Sequence, residues 1–475
     1  TGIIRHSSSS SYPDANIESS HSDILKGKAG SPYAIKDYYD LDPDLAENVS
    51  RRWDEFESLL NRIKGFDLGA IIDFVPNHVS RDYRTNSSIK QAQDLGVNDN
   101  KSLAFHPNNN FYYIPDSELN LPNHPRNRKR DVGFKELPAK ATGNNIFSPS
   151  PNKTDWYETI KLNYGHDFLT NSDHFYPTPD TWIKMMEILD FWADKGITGF
   201  RCDMAGMVPP AFWEFAISSI KTKHPKIVFI AEIYEPDRYY EYINAGFDFL
   251  YDKVGLYDKT RSIIQNHSST RSISDHWKSM NGLDDKMLRF LENHDEQRIA
   301  SRFFASDPQK ALPGIALAAL MNAGPLLIYF GQEVGEPALG KSGFSGDDGR
   351  TSIFDYTSLP ELNKWINNGQ YNGALLSEEQ THLRLAYQQI LLYASRNPVF
   401  ANGSFYDLMW LNEDLPSEIH HKVYAFLRYY KNDYYLIAIN FSQEIKEVKI
   451  RITDHPLKAM GIDHHDRFDI ETLHP

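Results

Sequence analysis

One cysteine in 475 residues, Cys202, leaves no intramolecular disulfide framework to staple the chain. Its place in an apolar run marks it as a small buried core residue rather than a nucleophile. Long hydrophobic stretches are also missing. The longest, residues 312–330, is interrupted by Pro313, Asn322, Gly324 and Pro325, so it does not read as a membrane span of roughly 20 apolar residues. Basic residues are outnumbered, 50 Lys and Arg against 64 Asp and Glu, for a net charge of -14. A nucleic-acid partner needs a basic patch that such a chain does not display, which leaves a neutral or cationic substrate. No Gly-rich phosphate loop follows any apolar strand, which speaks against a dinucleotide-binding open sheet. No charged-then-apolar leader opens the sequence, and the compartment stays open.

What is present is ordinary globular material, 40% hydrophobic and 24% charged, long enough for two to three domains. Aromatic residues make up 13%, including 27 Tyr and 8 Trp; they suit stacking on sugar rings and suit an aromatic core equally. Residues 1–32 are Ser- and Gly-rich and read as a long loop. An amphipathic helix is expected over 44–64, then an apolar strand over 69–78. Residues 79–179 are dense in Asn and Pro and carry no helical repeat, which predicts an inserted subdomain. Helix and strand then alternate. Helices are expected at 181–195 and 210–223, strands near 197–203, 227–232, 247–251 and 287–295, a helix at 309–323 and a strand at 325–333. Apolar strands separated by helices imply a parallel sheet buried on both faces, and strands closing in polar residues point to a (β/α)8 TIM barrel with its site at the C-terminal strand ends. After a helix over 378–396 the period changes to two, with strands at 423–430 and 434–441 forming a hairpin in a C-terminal antiparallel β domain.

The barrel's organising stretch is Ile197-Thr198-Gly199-Phe200-Arg201-Cys202-Asp203. Residues i and i+2 of a strand share a face, so Arg201 and Asp203 project together while Cys202 points away. Asp203, Glu232 and Asp295 close three different strands. Two neighbouring carboxyls resist joint ionisation, so one is pushed toward the acid form, and a nucleophile beside an acid is the equipment of glycoside hydrolysis. Three carboxylates could equally hold a metal, and spacing alone leaves both readings open. The other histidines, His464-His465 among them, have no partners at fixed metal-ligand spacing and read as surface residues.

Asp73-Phe74-Val75-Pro76-Asn77-His78, Gly199-Phe200-Arg201-Cys202-Asp203, Phe229-Ile230-Ala231-Glu232 and Glu292-Asn293-His294-Asp295 resemble the four ordered motifs of the α-amylase superfamily, glycoside hydrolase family 13. Tyr33 and Tyr329-Phe330-Gly331-Gln332-Glu333 resemble its further patterns. The resemblance implies a barrel whose first part is residues 1–78, subdomain 79–179 inserted after strand 3, the remaining barrel over 180–401 and a β-sandwich domain over 402–475. It implies Asp203 as nucleophile, Glu232 as acid/base and Asp295 as the grip on the sugar's 2- and 3-hydroxyls. Arg201 would orient Asp203, His78 and His294 would bond hydroxyls of the same ring, Tyr33 would stack on it, and Asp73 would be structural. Asn77 matches a position that often binds a structural calcium. The implied activity is a retaining α-glucan hydrolase acting on neutral oligo- or polysaccharide; a transglycosylase and a non-catalytic carbohydrate-binding relative are the alternatives.

Two departures stand out. Gly206-Met207 follows Asp203 where many members have Lys-His, which touches the leaving-group contacts and one backbone calcium ligand. Lys161-Leu162-Asn163-Tyr164 only loosely resembles the family's specificity motif. The motif containing Asp73 belongs to the third strand, so strands one and two are expected to be absent from the chain, and the strand at Ile71 should have an empty neighbouring position.

Overall fold

The computed structural model describes residues 2–85, 93–122, 133–338 and 346–462. Two compact units divide the chain. The first runs to Leu250 and includes Ser352–Tyr356; the second comprises Tyr251–Thr351 and the chain from Thr357 onward.

The first unit opens on an antiparallel pair, β1 (Ile4–His6) with β2 (Ile35–Leu41), so the stretch 1–32 expected as loop contains a strand, β1. Helix α1 covers Arg52–Gly65, so the expected helix starts late. The reason is local. Asp42 accepts from the Asp44 N–H, Asn48 from Ser50, and the Glu55 carboxylate from both Glu47 and Asn48. Side chains that capture these N–H groups hold Pro43–Leu45 and Val49–Arg51 in 3-10 turns instead of one continuous helix.

Strand β3 (Ile71–Phe74) is followed by β4 (His78–Ser80) and then by the insertion, which has no α-helix among its described residues. Its short strands are β5 (Tyr113–Ile114), β6 (Ala139–Lys140), β7 (Thr159–Lys161), β8 (His166–Asp167) and β9 (Ser172–Asp173), paired β4–β7, β5–β6 and β8–β9. Regular alternation resumes with α2 (Asp180–Asp194), β10 (Gly199–Cys202), α3 (Pro210–Lys223), β11 (Val228–Ala231), α4 (Tyr239–Asn244) and β12 (Phe249–Tyr251). Strands β3, β10, β11 and β12 lie parallel, in that order. Among the described residues β3 has a strand on one side only, and Ile71 is half exposed.

Register sets the two faces of this sheet. Phe200 pairs with Ile72 and Phe229, and Cys202 with Phe74 and Ala231, so these side chains share the face packed against α3. Trp213 of α3 is fully buried there, its ring 4.8 Å from that of Phe247 and 6.4 Å from Phe74. Cys202 is fully buried too, a core residue as expected. Trp213→Ala should therefore cost about 3–5 kcal/mol, read as a shifted urea midpoint with an unchanged slope. A cost below about 1 kcal/mol would mean that this layer is not the core.

In the second unit the Asp252 N–H donates to Leu288 of β13 (Met287–Leu288). Helices α5 (Asp258–Ile264) and α6 (Arg271–Met280) precede β13, and α7 (Leu312–Leu320), α8 (Pro360–Ile366) and α9 (Glu378–Arg396) come after it, the last opened by a Ser377 capping box. The strand expected at 325–333 is reduced, among the described residues, to one bridge, Arg289 with Leu326. The Tyr329 N–H is taken by the Gln332 side chain and Gly331 turns at φ 80°, so the ladder cannot extend. Strands β14 (Ser404–Asp407), β15 (Val423–Tyr430) and β16 (Asp433–Asn440) form one antiparallel sheet. His464-His465 lie outside the described residues. No described helix is long and apolar enough to cross a membrane.

Candidate active site

In the first unit the second face of the sheet carries the polar row. Arg201 is in register with Asp73 on one side and Ile230 on the other, and Asp203 and Glu232 continue that face just beyond their strands. Backbone bonds fix the strand ends: Asp203 donates to the Phe74 carbonyl at 2.9 Å and Glu232 to Cys202 at 3.1 Å. Met204, which follows, sits at φ 45°, a left-handed conformation costly for a side chain of its size. Its N–H is held by Glu232 Oε2 at 2.7 Å, which fixes the turn.

Arg201 organises three carboxylates. One guanidinium nitrogen lies 3.0 Å from Asp203 Oδ1 and 3.1 Å from Asp73 Oδ1, and the other 2.8 Å from Glu232 Oε1. The guanidinium therefore stands among the acids, so direct repulsion between two bare carboxyls is not the arrangement here. The Tyr234 hydroxyl donates to Glu232 Oε1 at 2.6 Å. The Tyr33 ring lies 5.6 Å from the Arg201 guanidinium carbon, on the same cluster.

His78 is buried on β4 and shares a hydrogen bond with the Tyr33 backbone. Its ring meets Trp156 at 5.2 Å and its Nδ1 lies 3.0 Å from the Asn77 amide. Gly143 allows this crowding, since a Cβ there would stand 2.9 Å from His78. Burial first, then the charges of Lys161 and Lys26, pulls the imidazole down to about 3 from 6.5. A base depressed in the folded state contributes stability that is complete above 6.5 and lost as pH falls toward 3, because the unfolded chain takes up the proton first. The stability difference between wild type and His78→Asn should shrink between pH 6.5 and 4, by up to about 1.4 kcal/mol per pH unit. A difference that stays constant with pH, in paired urea titrations, would show an ordinarily titrating ring.

The calcium expectation at Asn77 does not fit these residues. Asn77 Nδ2 donates to the Gly143 carbonyl at 2.9 Å, and Asn77 Oδ1 accepts from the Lys161 amino group. That amino group also reaches the Met207 carbonyl at 3.2 Å. A cation that seeks several oxygen ligands would find both oxygens already taken as acceptors by the Lys161 amino group. Elsewhere, Asp190, Asp194 and His224 converge, but Lys223 lies 3.0 and 2.7 Å from the two carboxylates.

The second unit holds His294 and Asp295 together, His294 Nε2 3.0 Å from Asp295 Oδ2. Asn293 accepts the N–H groups of Asp295 and Glu296, which shapes the turn. Beneath it Glu292 is fully buried, bonded to Arg298 at 2.9 Å and to the Ile299 N–H at 2.6 Å. Burial pushes its carboxyl up, against the pull of Arg298. Sequence reading passes over Tyr234 and Arg298, and names Lys161 and Glu292 only as members of motifs without giving them a role. Tyr234 could have been found by strand parity with Glu232; the others declare themselves only through tertiary pairing.

The family model of the alpha-amylase catalytic domain matches residues 22–358. "Alpha-amylase 3" of Dictyoglomus thermophilum is 23% identical over 318 residues, 64% of this chain and 53% of its own length. An alpha-1,4-glucan:maltose-1-phosphate maltosyltransferase of Cereibacter sphaeroides is 25% identical over 235 residues, 42% of this chain and 32% of its own. The chain thus spans about half the length of the first relative and about a third of the second. Among solved structures, an alpha-amylase from Lactobacillus plantarum superposes with TM-score 0.56 at 20% identity, over 90% of this chain and 79% of its own. The fold is that of the α-amylases, a TIM barrel.

Proposed function

The chain belongs to the alpha-amylase family, glycoside hydrolase family 13, and from that membership we propose that it is a retaining α-glucan hydrolase cleaving α-1,4-glucosidic bonds. The observation that carries the reading is Arg201 ion-paired at once with Asp203 and Glu232 at the ends of neighbouring strands. One carboxylate is thereby oriented as nucleophile while a second stands beside it as acid/base, the pair that retaining glycosidases use.

In the first step Glu232, in its acid form, gives its proton to the glycosidic oxygen as Asp203 Oδ attacks the anomeric carbon. The carbon–oxygen bond breaks and a glycosyl ester of Asp203 forms. In the second, Glu232 takes a proton from water as its oxygen bonds to the same carbon, the ester bond to Asp203 breaks, and the Asp203 carboxylate is restored as an α-configured sugar leaves. Asp295 and His294 are assigned to the sugar's hydroxyls on their motif, as is His78. Tyr33, packed against Arg201, would present its ring to the sugar while screening the guanidinium from water. The partner is a neutral α-glucan. Calcium bound by Asn77 is not part of this reading.

The maltosyltransferase relative favours a second reading, in which a sugar hydroxyl replaces water in the second step. A non-catalytic carbohydrate-binding protein is the third, and the full set of carboxylates speaks against it. Products from maltooligosaccharides separate them. A hydrolase liberates new reducing ends in the α configuration, a transferase lengthens some chains while shortening others, and a binding protein leaves the mixture unchanged.

A further inference from the structure

Lys161 is 2% exposed, and its amino group is bonded to oxygens from two other segments. It lies on β7, directly opposite His78 of β4 in the antiparallel register, at the point where the insertion returns to the barrel. Its Nζ donates to Asn77 Oδ1, from the turn after β3, and to the Met207 carbonyl, from the turn after β10. The Leu162 N–H donates to the Asn77 carbonyl at 3.0 Å, so side chain and backbone of neighbouring residues grip the same turn. Asn77 completes the junction by donating to Gly143 on the insertion's far side.

Two turns carrying the strand-end residues and the inserted subdomain thus meet at one amino group, which burial pulls down to about 7 from 10.5. The two oxygens around it, an amide and a main-chain carbonyl, are hard donors of the kind a divalent cation uses, yet they converge on a primary amine of the chain itself. We propose that Lys161 stands in for a bound cation: its amino group, donating to both oxygens, joins the insertion to the turns after β3 and β10 in place of a calcium, and the folded protein needs no divalent ion at Asn77. The turn after β10 begins at Asp203, so the same junction positions the strand end that carries it. Lys161 is in this sense a positioning residue, and the inference holds whichever reaction the site performs.

Thermal unfolding tests it without reference to activity. The wild-type midpoint should be the same in a calcium chelator and in added calcium chloride, and equilibrium dialysis with radiolabelled calcium should find no tight site. Lys161→Met keeps the length and apolar stem but leaves Asn77 Oδ1 and the Met207 carbonyl without their donor, so its midpoint should fall by roughly 4 °C or more. A wild-type midpoint that drops on chelation would overturn the proposal. So would a Lys161→Met protein as stable as wild type. If Lys161→Met does not fold, the chelation and dialysis results on the wild type decide alone.

Discussion

Asp203→Asn should lower turnover on maltooligosaccharides by roughly three orders of magnitude or more while leaving the fold intact. The substitution is nearly isosteric, so the Asp203 backbone bond to Phe74 and the packing of β10 are untouched. Arg201 keeps its ion pairs with Asp73 and Glu232, so no buried cation is stranded. What disappears is the anionic oxygen that must attack the anomeric carbon, and an amide cannot replace it. Reducing-sugar assays alongside circular dichroism give the answer. Retention of about a tenth of turnover in a folded variant would remove Asp203 from the nucleophile's role.

Arg201→Met should be the most destabilising single change at this site, by about 3–5 kcal/mol. The guanidinium is the shared partner of Asp73, Asp203 and Glu232, whose side chains are 12%, 8% and 3% exposed. A Met of similar length fills the space but leaves three carboxylates crowded with little water to screen them. Like charges favour the protonated form, so the unfavourable state is the fully ionised one. The deficit should therefore be largest at neutral pH and shrink as pH falls into the carboxylate range. Urea midpoints of wild type and variant at pH 7 and pH 5 measure both parts. Equal stability at neutral pH would mean that the three acids do not depend on Arg201 for their burial.

Much of the first unit's site was legible because its chemistry is local. Arg201 and Asp203 share a strand face by parity alone, and Cys202 takes the other. The helix Pro210–Lys223 opens on Pro and the helix Glu378–Arg396 behind Ser377, so both matched their expected bounds. Other features were decided by groups far apart in sequence. The bond between Asn77 and Lys161 spans 84 positions, and no local pattern shows that the register of β4 with β7 turns a calcium-type asparagine toward an amino group. The late start of α1 came from acidic and amide side chains that outcompete the helix for N–H groups over 43–51. At 325–330 an apolar run of strand composition has a single bridging neighbour, Arg289, and strand propensity without a second edge does not make a ladder.

The covalent step offers the sharpest test of double displacement at Asp203. A fluorinated maltosyl fluoride that forms the glycosyl ester readily and hydrolyses it slowly can be incubated with the protein, followed by intact mass measurement and peptide mapping. One added glycosyl group, carried by the peptide containing Asp203 and lost on exposure to an acceptor sugar, is the expected result. Rapid turnover of unmodified substrate with no labelled Asp203, or a product released with inverted configuration, would contradict it.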